Sequence, residues 1–596
     1  MLPPSAESTL TRCPTQHAML IVWGYFAQSL GLLEHLASVP VSQKTFDHPP
    51  HIKLLELFMG LLTGIEYLSD LSLGPSPLDA DPAVASAWGL PALADASGVS
   101  RTLAAADTHT LTALQQVLDQ ISAPFWQRAI ADLQSRNQAF YLDADLTGRA
   151  VSSSSQSYPG AAFGYMDGQI RLGYQVAEIC LQTALFGRQW LAGQQHPGNT
   201  VSASCLLALL TAAEQRLGCH PRRRPELVAQ RITLLEQTLA ATRSQLATQQ
   251  AALAHLQTQL EELTGQIAAA EVQLHSWAVI PLSARQPGRY SAYNHLAQQV
   301  AGWQQRRVRL LPRQGQYEAR LLRLQAQQAQ LEAQHGCLQQ RWVALTADNA
   351  AQARAPRCIL RMDAGFASGE NLTAAIELGY DLETKANNAG LVRALQARVT
   401  ATTVWTRVGR NAEMVGWADY TLHHCPYPLS VGLERFHTPQ GMRYAVLVRS
   451  QAAPEQPCPD LPAWFTAYNG RQTIEAGNKE EKTVFKLQRL FSRSAVGMEI
   501  QVAWTLFAAN FVRWTEEWVN ARLEQTSRRF ALVSQSPKRL VRIGANSPGM
   551  VEREAERVLV RFGEQSSLPG VVVRVAGTPT QQLVLPFFET DHFAAF

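Results

Sequence analysis

The stretch "QAFYLDADLTGRAV", residues 138–151, marks the point where the chain changes from helix-forming to strand-forming sequence. Apolar and polar residues alternate within it, as is typical of a β-strand, because successive side chains of a strand point to opposite faces. Asp143 and Asp145 are two residues apart and therefore share one face. The sequence thus predicts a strand that carries two carboxylates on a single face.

Further strand patterns extend the prediction in both directions from this stretch. "AFGYMDGQIRLGYQVAEICL" (162–181) predicts a hairpin that turns at Asp167-Gly168, because this dipeptide favours a tight two-residue turn. "RCILRMDAGF" (357–366) predicts a strand that ends at Asp363, ahead of a helix. Residues 400–450 are rich in β-branched and aromatic side chains and predict several strands, whereas 461 to about 525 reads as helix. Strands and helices in this order predict an α/β fold.

A heptad repeat separates the first and second groups of strands. Apolar residues recur every seven positions in two runs, which are Ile232, Leu239, Leu246, Leu253, Leu260, Ile267 and Leu274, then Leu310, Tyr317, Leu324, Leu331, Leu338 and Leu345. Such runs are typical of coiled coils. A stretch with Pro and Gly near 277–303 joins them, so the sequence predicts a long antiparallel coiled-coil hairpin inserted into the α/β core.

Composition limits the class of protein. A chain of 596 residues is too long for one core, and 46% hydrophobic with 17% charged residues is typical of a globular protein. The net charge of +4 means that a nucleic-acid partner would have to meet a local basic patch. Eight cysteines without a CxxC pair argue against a zinc site or a disulfide framework and favour the cytoplasm. The apolar stretches near residues 17–37 and 202–217 are interpreted as core helices, so no membrane partner is expected.

The segment "YNGRQTIEAGNKEEK", residues 468–482, combines a phenol, two bases and an acid at helical spacing. Tyr468, Arg471, Glu475 and Lys482 follow at steps of three, four and seven, which return to one face of a helix with 3.6 residues per turn. A buried stripe would be apolar, and a solvated stripe would not need the tyrosine. The pattern therefore predicts a functional face on this helix.

Acidic residues at two strand positions and on this helix suggest metal-dependent chemistry. Asp145 and Asp363, together with Glu475, could converge on divalent cations, which prefer hard oxygen ligands. Two such ions activate a nucleophilic oxygen and stabilise the leaving oxygen in phosphoryl transfer. Any one of these acids alone would more often be a cap or a salt-bridge partner.

With these residues in view, the sequence resembles the DDE transposases of bacterial insertion sequences. The resemblance rests on the Tyr-x2-Arg-x3-Glu-x6-Lys signature, matched without a gap by Tyr468, Arg471, Glu475 and Lys482. "DAGF" after an apolar strand is similar to the family's second-aspartate motif, and "DLT" resembles its first, of D-x-T form. The resemblance covers roughly 135–215 and 355–520 and implies an RNase H-like catalytic core.

The resemblance also implies roles for individual residues. Asp145, Asp363 and Glu475 would be catalytic ligands of two Mg²⁺ or Mn²⁺ ions, with Asp143 as an alternative first aspartate. Residues expected to bind DNA are Tyr468, Arg471 and Lys482 of the signature, with Lys486 and Arg489 of the basic cluster "FKLQRLFSR" (485–493). No glycine-rich phosphate loop is visible in the sequence, so ATP use is not expected.

The expected organisation follows from these assignments. It comprises a helical N-terminal domain with possible DNA binding (1–135), core segments at 136–220, 351–400 and 456–525, the coiled-coil insertion (221–350), a β-rich insertion (401–455) and a basic C-terminal region (526–596). The expected partners are double-stranded DNA of element ends and target and a second copy of the chain in a homodimer. The expected location is the bacterial cytoplasm, at the nucleoid. The alternatives are an RNase H-like nuclease or resolvase without strand transfer, and a domesticated DNA-binding scaffold without catalysis.

Overall fold

A computed structural model describes residues 10–44, 47–155, 157–281, 289–386, 388–439, 441–451, 460–530, 536–545 and 547–577. The chain divides into two compact units. One consists of Met1–Arg222 with Arg354–Phe596, and the other of Arg223–Ala353. The second unit is thus inserted into the sequence of the first.

The helices of the two units are numbered together in chain order. They are α1 (Ala18–Ser29), α2 (Leu32–Leu36), α3 (Pro50–Thr63), α4 (Asp70–Leu73), α5 (Pro82–Ala87), α6 (Ala96–Ala105), α7 (Thr108–Ser135), α8 (Leu206–Leu217), α9 (Pro225–Ala278), α10 (Arg289–Ala351), α11 (Gly369–Glu377), α12 (Ala389–Gln396), α13 (Leu461–Asn469), α14 (Gln472–Thr483), α15 (Ala495–Asn520) and α16 (Pro537–Ala545).

The strands are numbered in the same way. They are β1 (Thr11–Thr15), β2 (Phe140–Ala150), β3 (Ala162–Met166), β4 (Gln169–Thr183), β5 (Gly187–Pro197), β6 (Cys358–Met362), β7 (Asp381–Ala386), β8 (Thr406–Arg407), β9 (Ala412–Tyr420), β10 (Leu429–Thr438), β11 (Gly441–Ser450), β12 (Gly549–Glu554), β13 (Arg557–Phe562) and β14 (Val572–Ala576). The α/β class expected from the sequence is confirmed.

A large mixed sheet forms the centre of the first unit. Its strand order is β3-β4-β2-β6-β7-β11-β10-β9-β8, and β5 pairs with β4. β6 runs parallel to β2 and to β7, while the other neighbours are antiparallel. A parallel pair cannot be joined by a tight turn and needs a long crossover. The connection between β2 and β6 includes three further strands (β3, β4 and β5), α8 and the whole inserted unit.

The hairpin between β3 and β4 turns where the sequence places it. Asp167 and Gly168 both adopt positive φ angles, 48° and 83°, between the paired residues Met166 and Gln169. Two successive positive φ angles are typical of the type I′ turn, whose twist matches that of the flanking strands. Glycine tolerates this conformation without cost because it lacks a Cβ atom.

The N-terminal helices pack against α15 in one hydrophobic core. α15 contributes aromatic rings that stack on rings of these helices: Trp504 lies 4.8 Å from Phe58 and Trp514 lies 4.3 Å from Phe125, measured between ring centroids. Stacked aromatic pairs add about 0.5–1.5 kcal/mol beyond their buried area. Among the described helices, α15 is the one long and apolar enough to cross a membrane, and 78% of its most apolar window is buried inside the protein.

A second, smaller sheet has the strand order β1-β12-β13-β14. The sequence of residues 1–135 was expected to be helical throughout, but Thr11–Thr15 forms β1 and pairs antiparallel with β12 of the C-terminal region. The pairing partner lies more than five hundred residues away, so local sequence patterns carry no sign of it. The C-terminal stretch "LPGVVVRVAGTPTQQLVLPFF" (568–588) also predicts two short strands. β14 is one of them, and the second lies outside the described residues.

The inserted unit consists of α9 and α10, which run antiparallel. Their direction follows from contacts such as Arg243 to Glu332 (2.8 Å) and Gln304 to Glu271 (2.8 Å). All thirteen apolar heptad residues named above are buried or half-buried, including Leu260 and Leu324. The long apolar seam therefore explains why these two helices pair along their length.

Candidate active site

Asp145 lies in the middle of β2, and its side chain is held by two donors from the signature region. Arg471 Nη2 is 2.8 Å from Oδ1, and Asn478 Nδ2 is 2.7 Å from Oδ2. Burial raises the pKa of Asp145 to about 6, Arg471 opposes this rise, and the carboxylates of Asp363 and Glu475 add to it. Asp145 is therefore within electrostatic reach of both other predicted ligands.

Arg471 links two of the three predicted ligands directly. Its Nη2 atom pairs with Asp145, and its Nη1 atom lies 2.9 Å from Glu475 Oε1. The Arg471 side chain is only 7% exposed, whereas that of Glu475 is 61% exposed. The guanidinium thus offsets the repulsion between two carboxylates and holds the start of α14 against β2.

The sequence predicts one helix for the whole signature, but the structure divides the signature between two helices. Tyr468 lies in the last turn of α13, and Arg471 is the N-cap of α14, so the chain breaks between them at Gly470. A Cβ atom at Gly470 would collide with Arg361 Nη1, which donates to Ala467 O at 2.9 Å. Glycine therefore lets a side chain from β6 reach the end of α13, and the helix is interrupted there.

Asp363 follows β6 directly, beside the strand that carries Asp145. β2 and β6 are parallel neighbours, so both aspartates belong to adjacent strands of the same sheet. The Asp363 side chain is partly exposed and accepts a hydrogen bond from Gly365 N at 3.0 Å. Burial raises the pKa of Tyr468 to about 12, Arg471 lowers it, and Asp363, Glu475 and Asp145 raise it further. The phenol and the three carboxylates thus share one electrostatic environment.

The donor set has the chemistry of a site for hard divalent cations, because three carboxylates supply only oxygen ligands. Within the described ranges, however, no group of three or more His, Cys, Asp or Glu side chains has a spacing that could hold a metal ion. The physical reason is visible: Arg471 lies between Asp145 and Glu475. The residues fit such ions chemically, provided that Arg471 leaves this position.

Asp143, the alternative first aspartate, has a different environment. It is fully buried and forms a two-bond ion pair with Arg361, at 2.6 Å to Nε and 2.8 Å to Nη2. Gln182 Nε2 donates to Asp143 at 2.9 Å and to Thr473 Oγ1 at 3.0 Å. Protein donors thus satisfy the carboxylate of Asp143, as they do that of Asp145. Asp145 is favoured as the ligand because its donor Arg471 also pairs with Glu475, another predicted ligand.

The basic residues expected to bind DNA are paired with acids in this structure. Lys482 lies 3.3 Å from Asp167 in the β3–β4 turn. Lys486 and Arg489 both contact Glu66, at 2.9 Å and 3.4 Å. Tyr468 is buried, with Lys385 Nζ 5.6 Å from its ring centre. A phosphate that reached these bases would therefore replace a carboxylate.

A buried pair of acids beside the site was missed by the sequence analysis. Glu178 is the cross-strand neighbour of Asp145, and it faces Glu481 of α14. Both side chains are fully buried, and in the described residues no N–H or O–H of a neighbouring residue donates to either carboxyl group. Burial raises the pKa of Glu178 to about 8 and that of Glu481 well above its ordinary value. Burial of both side chains therefore favours the neutral form of these carboxyl groups.

This pair gives a prediction for the pH dependence of stability. A carboxyl group whose pKa is higher in the folded than in the unfolded chain stabilises the fold fully below the unfolded pKa, and this stability is lost as pH rises through the folded pKa. For Glu178 the unfolded pKa is near 4.5 and the folded pKa is about 8. Each proton involved changes the free energy of unfolding by about 1.4 kcal/mol per pH unit. We expect Glu178→Gln to flatten the fall in stability between pH 5 and about 8, measured by denaturant unfolding. Identical slopes for both proteins would contradict this assignment.

Other residues of the site could have been found only in part from the sequence. Asn478 lies three positions after Glu475 and so belongs to the same side of α14, which is a usable signal. Arg361 lies on β6, two residues before Asp363. Its pairing with Asp143, which is 218 positions away in the chain, depends on the register between β2 and β6. Glu178 looked like part of an ordinary apolar strand.

Comparison with solved structures finds distant structural neighbours. One of them is a piggyBac transposase, solved by cryo-EM as a synaptic complex with hairpin DNA. The TM-score is 0.33 at 10% sequence identity, and the match covers 90% of this chain and 82% of that one. No protein-family model matches the sequence, and no curated protein matches it. At this distance, the chemistry of the site follows only from its own contacts.

Proposed function

We propose that this protein is a metal-dependent DNA transposase of the DDE type with an RNase H-like core. It would cleave the ends of a DNA element and join the freed 3′-hydroxyl groups to target DNA. The observation that carries the proposal is the convergence of Asp145, Asp363 and Glu475, from two adjacent parallel strands and a helix, on the surroundings of Arg471. The mixed sheet with helices is compatible with such a core.

The proposed cofactor is a pair of Mg²⁺ ions, for which Mn²⁺ could substitute because both accept octahedral oxygen sites. Asp145, Asp363 and Glu475 would hold them. When bound, two such ions supply activation of the attacking oxygen and stabilisation of the leaving oxygen. Three carboxylates are suited to this task because they balance the charge of the cations beside an anionic phosphate.

The chain's own residues prepare the site for DNA. Arg471 keeps the carboxylates of Asp145 and Glu475 from repelling each other, and it must leave them before it can grip a phosphate with its planar fork. A tyrosine keeps its proton at physiological pH, and burial raises the pKa of Tyr468 further, to about 12, so its phenol can donate a hydrogen bond to a phosphate oxygen. Lys482 adds a compact positive charge on the same segment.

The exchange of partners at the basic residues gives a second prediction. Replacing Lys482 or Lys486 by alanine is expected to weaken binding to element-end DNA and to lower the slope of log affinity against log salt by roughly 0.9 for each lost phosphate contact. Glu66→Gln should act in the opposite direction, because Glu66 competes with phosphate for Lys486. Fluorescence anisotropy over a salt series measures both effects. Equal affinities and slopes for all variants would remove these lysines from the DNA interface.

The proposal also includes a homodimer that brings two element ends together, and a location in the bacterial cytoplasm at the nucleoid. Its direct test is a cleavage and strand-transfer assay with labelled element ends, a supercoiled target, and Mg²⁺, Mn²⁺ or EDTA. Metal-dependent nicking followed by joined products would support a transposase. Nicking without joining would favour the nuclease or resolvase alternative. DNA binding without any cleavage would favour the domesticated scaffold.

A further inference from the structure

The inserted unit carries a row of arginines that the heptad seam does not use. The segment "RRVRLLPRQGQYEARLLR" (306–323) of α10 contains six arginines and a single acid. Five of these arginines are exposed and follow one another along the helix at steps of three, four, seven and three residues. We call them the arginine row, which consists of Arg306, Arg309, Arg313, Arg320 and Arg323. These steps keep the row on one flank of the helix, over about 25 Å at 1.5 Å per residue.

Between Arg306 and Gln334, the flank that carries the row has no acidic residue. Glu318 is the acid of the segment, but heptad spacing places it with Leu311 and Gln325 on the opposite flank. It accepts a hydrogen bond from Gln314 at 2.9 Å. Beyond the row, the same flank continues with three exposed glutamines, Gln327, Gln330 and Gln334. The positive charge of the row is therefore not offset from within its own helix.

The partner helix does not neutralise the row either. α9 exposes Glu261, Glu262 and Glu271, and Glu271 accepts a hydrogen bond from Gln304. In the described part of the chain, none of the five guanidinium groups lies within 4.0 Å of a carboxylate oxygen, so none forms an ion pair. The ion pairs between the two helices use other arginines, such as Arg243 with Glu332. A line of unpaired arginines on a stiff helix costs self-repulsion, which a polyanion would relieve.

We propose that this flank of the inserted unit binds the phosphate backbone of double-stranded DNA, as a contact surface separate from the carboxylate site. Guanidinium groups match phosphate oxygens in a two-bond geometry. Duplex DNA carries one negative charge per 1.7 Å of axis, so a rigid row of about 25 Å meets many phosphates at once. We expect this contact to involve the phosphate backbone and not the base edges, because phosphate contacts position a protein on the duplex without reading its sequence.

A lipid surface is the less favoured polyanion. The face beside the row carries Pro312, Gly315 and Ala319, which offer little apolar area for insertion between lipid chains. The exposed large apolar side chains of this segment are Val308 and Leu311 near its start and Leu322 near its end, so they do not form a continuous apolar face. Charge without a continuous apolar face fits a nucleic acid better than a membrane.

The test uses the full chain in EDTA, so that DNA binding is measured without any cleavage. Arg309→Gln/Arg313→Gln/Arg320→Gln is expected to weaken binding to a random-sequence duplex at least about ten-fold at roughly 0.1 M salt and to lower the salt slope by nearly 3. A charge-matched control, Arg12→Gln/Arg557→Gln/Arg561→Gln, removes three exposed arginines of the small sheet. It should change both values much less. Circular dichroism confirms that each variant is folded.

A gain-of-function variant protects the test against misfolding. Gln327→Arg/Gln330→Arg/Gln334→Arg extends the row along the same flank and should tighten binding and steepen the salt slope. Unchanged DNA binding in both the loss and the gain variants would overturn the inference. So would a row variant that loses affinity for phosphatidylglycerol vesicles while it binds DNA like the wild type. The inference rests on the proposed function only in its choice of DNA as the partner. A protein that does not cleave DNA but still binds it through the arginine row would contradict the proposed function and not this inference.

Discussion

Replacing Asp145 by asparagine is expected to abolish DNA cleavage and strand transfer while the protein still folds and binds DNA. Asparagine keeps the shape of the side chain and an oxygen for Asn478 or Arg471, but it removes the charge that a divalent cation needs. Loss of several kcal/mol of charge stabilisation in the transition state corresponds to roughly a thousand-fold or more in rate. The same outcome is expected for Asp363→Asn and for Glu475→Gln.

The measurement is single-turnover cleavage and joining of labelled element ends in Mg²⁺, repeated in Mn²⁺. DNA affinity in EDTA and thermal unfolding are measured on the same preparations. Glu370→Gln is a matched control, because Glu370 is an exposed acid in the first turn of α11, seven residues after Asp363. It should leave the rates unchanged. Full strand transfer by correctly folded Glu475→Gln would end the transposase proposal.

The parts of the fold that local patterns specify could be predicted from the sequence. Alternation specified β2, the Asp167-Gly168 dipeptide specified the hairpin, and the heptads specified two long paired helices, although α10 begins at Arg289, inside the stretch near 277–303 that was predicted as their connection. Each of these features depends on residues a few positions apart, so a single sequence contains all the information that it needs. β1 depends instead on β12 at the other end of the chain, and no local pattern could reveal it.

The site was predictable in its composition but not in its contacts. The sequence predicts Asp145, Asp363, Glu475 and Arg471 as members of one site. It predicts a phosphate of DNA as the partner of Arg471, whereas in the structure Arg471 pairs with two carboxylates. Without a bound polyanion, the nearest negative charges are the protein's own acids, and a buried guanidinium pairs with them. The same reasoning explains the pairing of Lys486 with Glu66. The sequence identifies the charged residues, but which of them form ion pairs with each other depends on the folded arrangement.

The choice between Asp143 and Asp145 shows the limit most clearly. Alternation places both on one face of β2, so the sequence leaves two candidates for one role. Their neighbours separate them: Asp143 is opposite Arg361 on β6, whereas Asp145 is opposite Glu178 on β4 and faces the signature region. Strand register, which follows from the pairing of distant segments, thus distinguishes the acid that pairs with Arg361 from the acid that faces the signature region.

Replacing Asp143 by asparagine is expected to lower the free energy of unfolding by about 3–5 kcal/mol, the usual cost of removing one partner of a buried ion pair. Arg361 would keep its charge inside the protein with only Ala467 O and the weaker asparagine oxygen as acceptors. Glu517→Gln is the comparison, because it breaks a two-bond pair with Arg128 that is partly exposed and should cost about 1 kcal/mol or less. Urea unfolding measures both changes.

The double replacement Asp143→Leu/Arg361→Met separates the charge effect from packing. It removes both charges at once, so it should recover much of the stability that Asp143→Asn loses, since apolar residues often replace a buried pair at little cost. If Asp145 holds the cations, as proposed, and Asp143 only pairs with Arg361, folded Asp143→Asn should also cleave DNA within a few-fold of the wild-type rate, measured well below its unfolding temperature. This outcome contrasts with that expected for Asp145→Asn. A stable but inactive Asp143→Asn beside an active Asp145→Asn would instead move the first metal ligand two residues upstream.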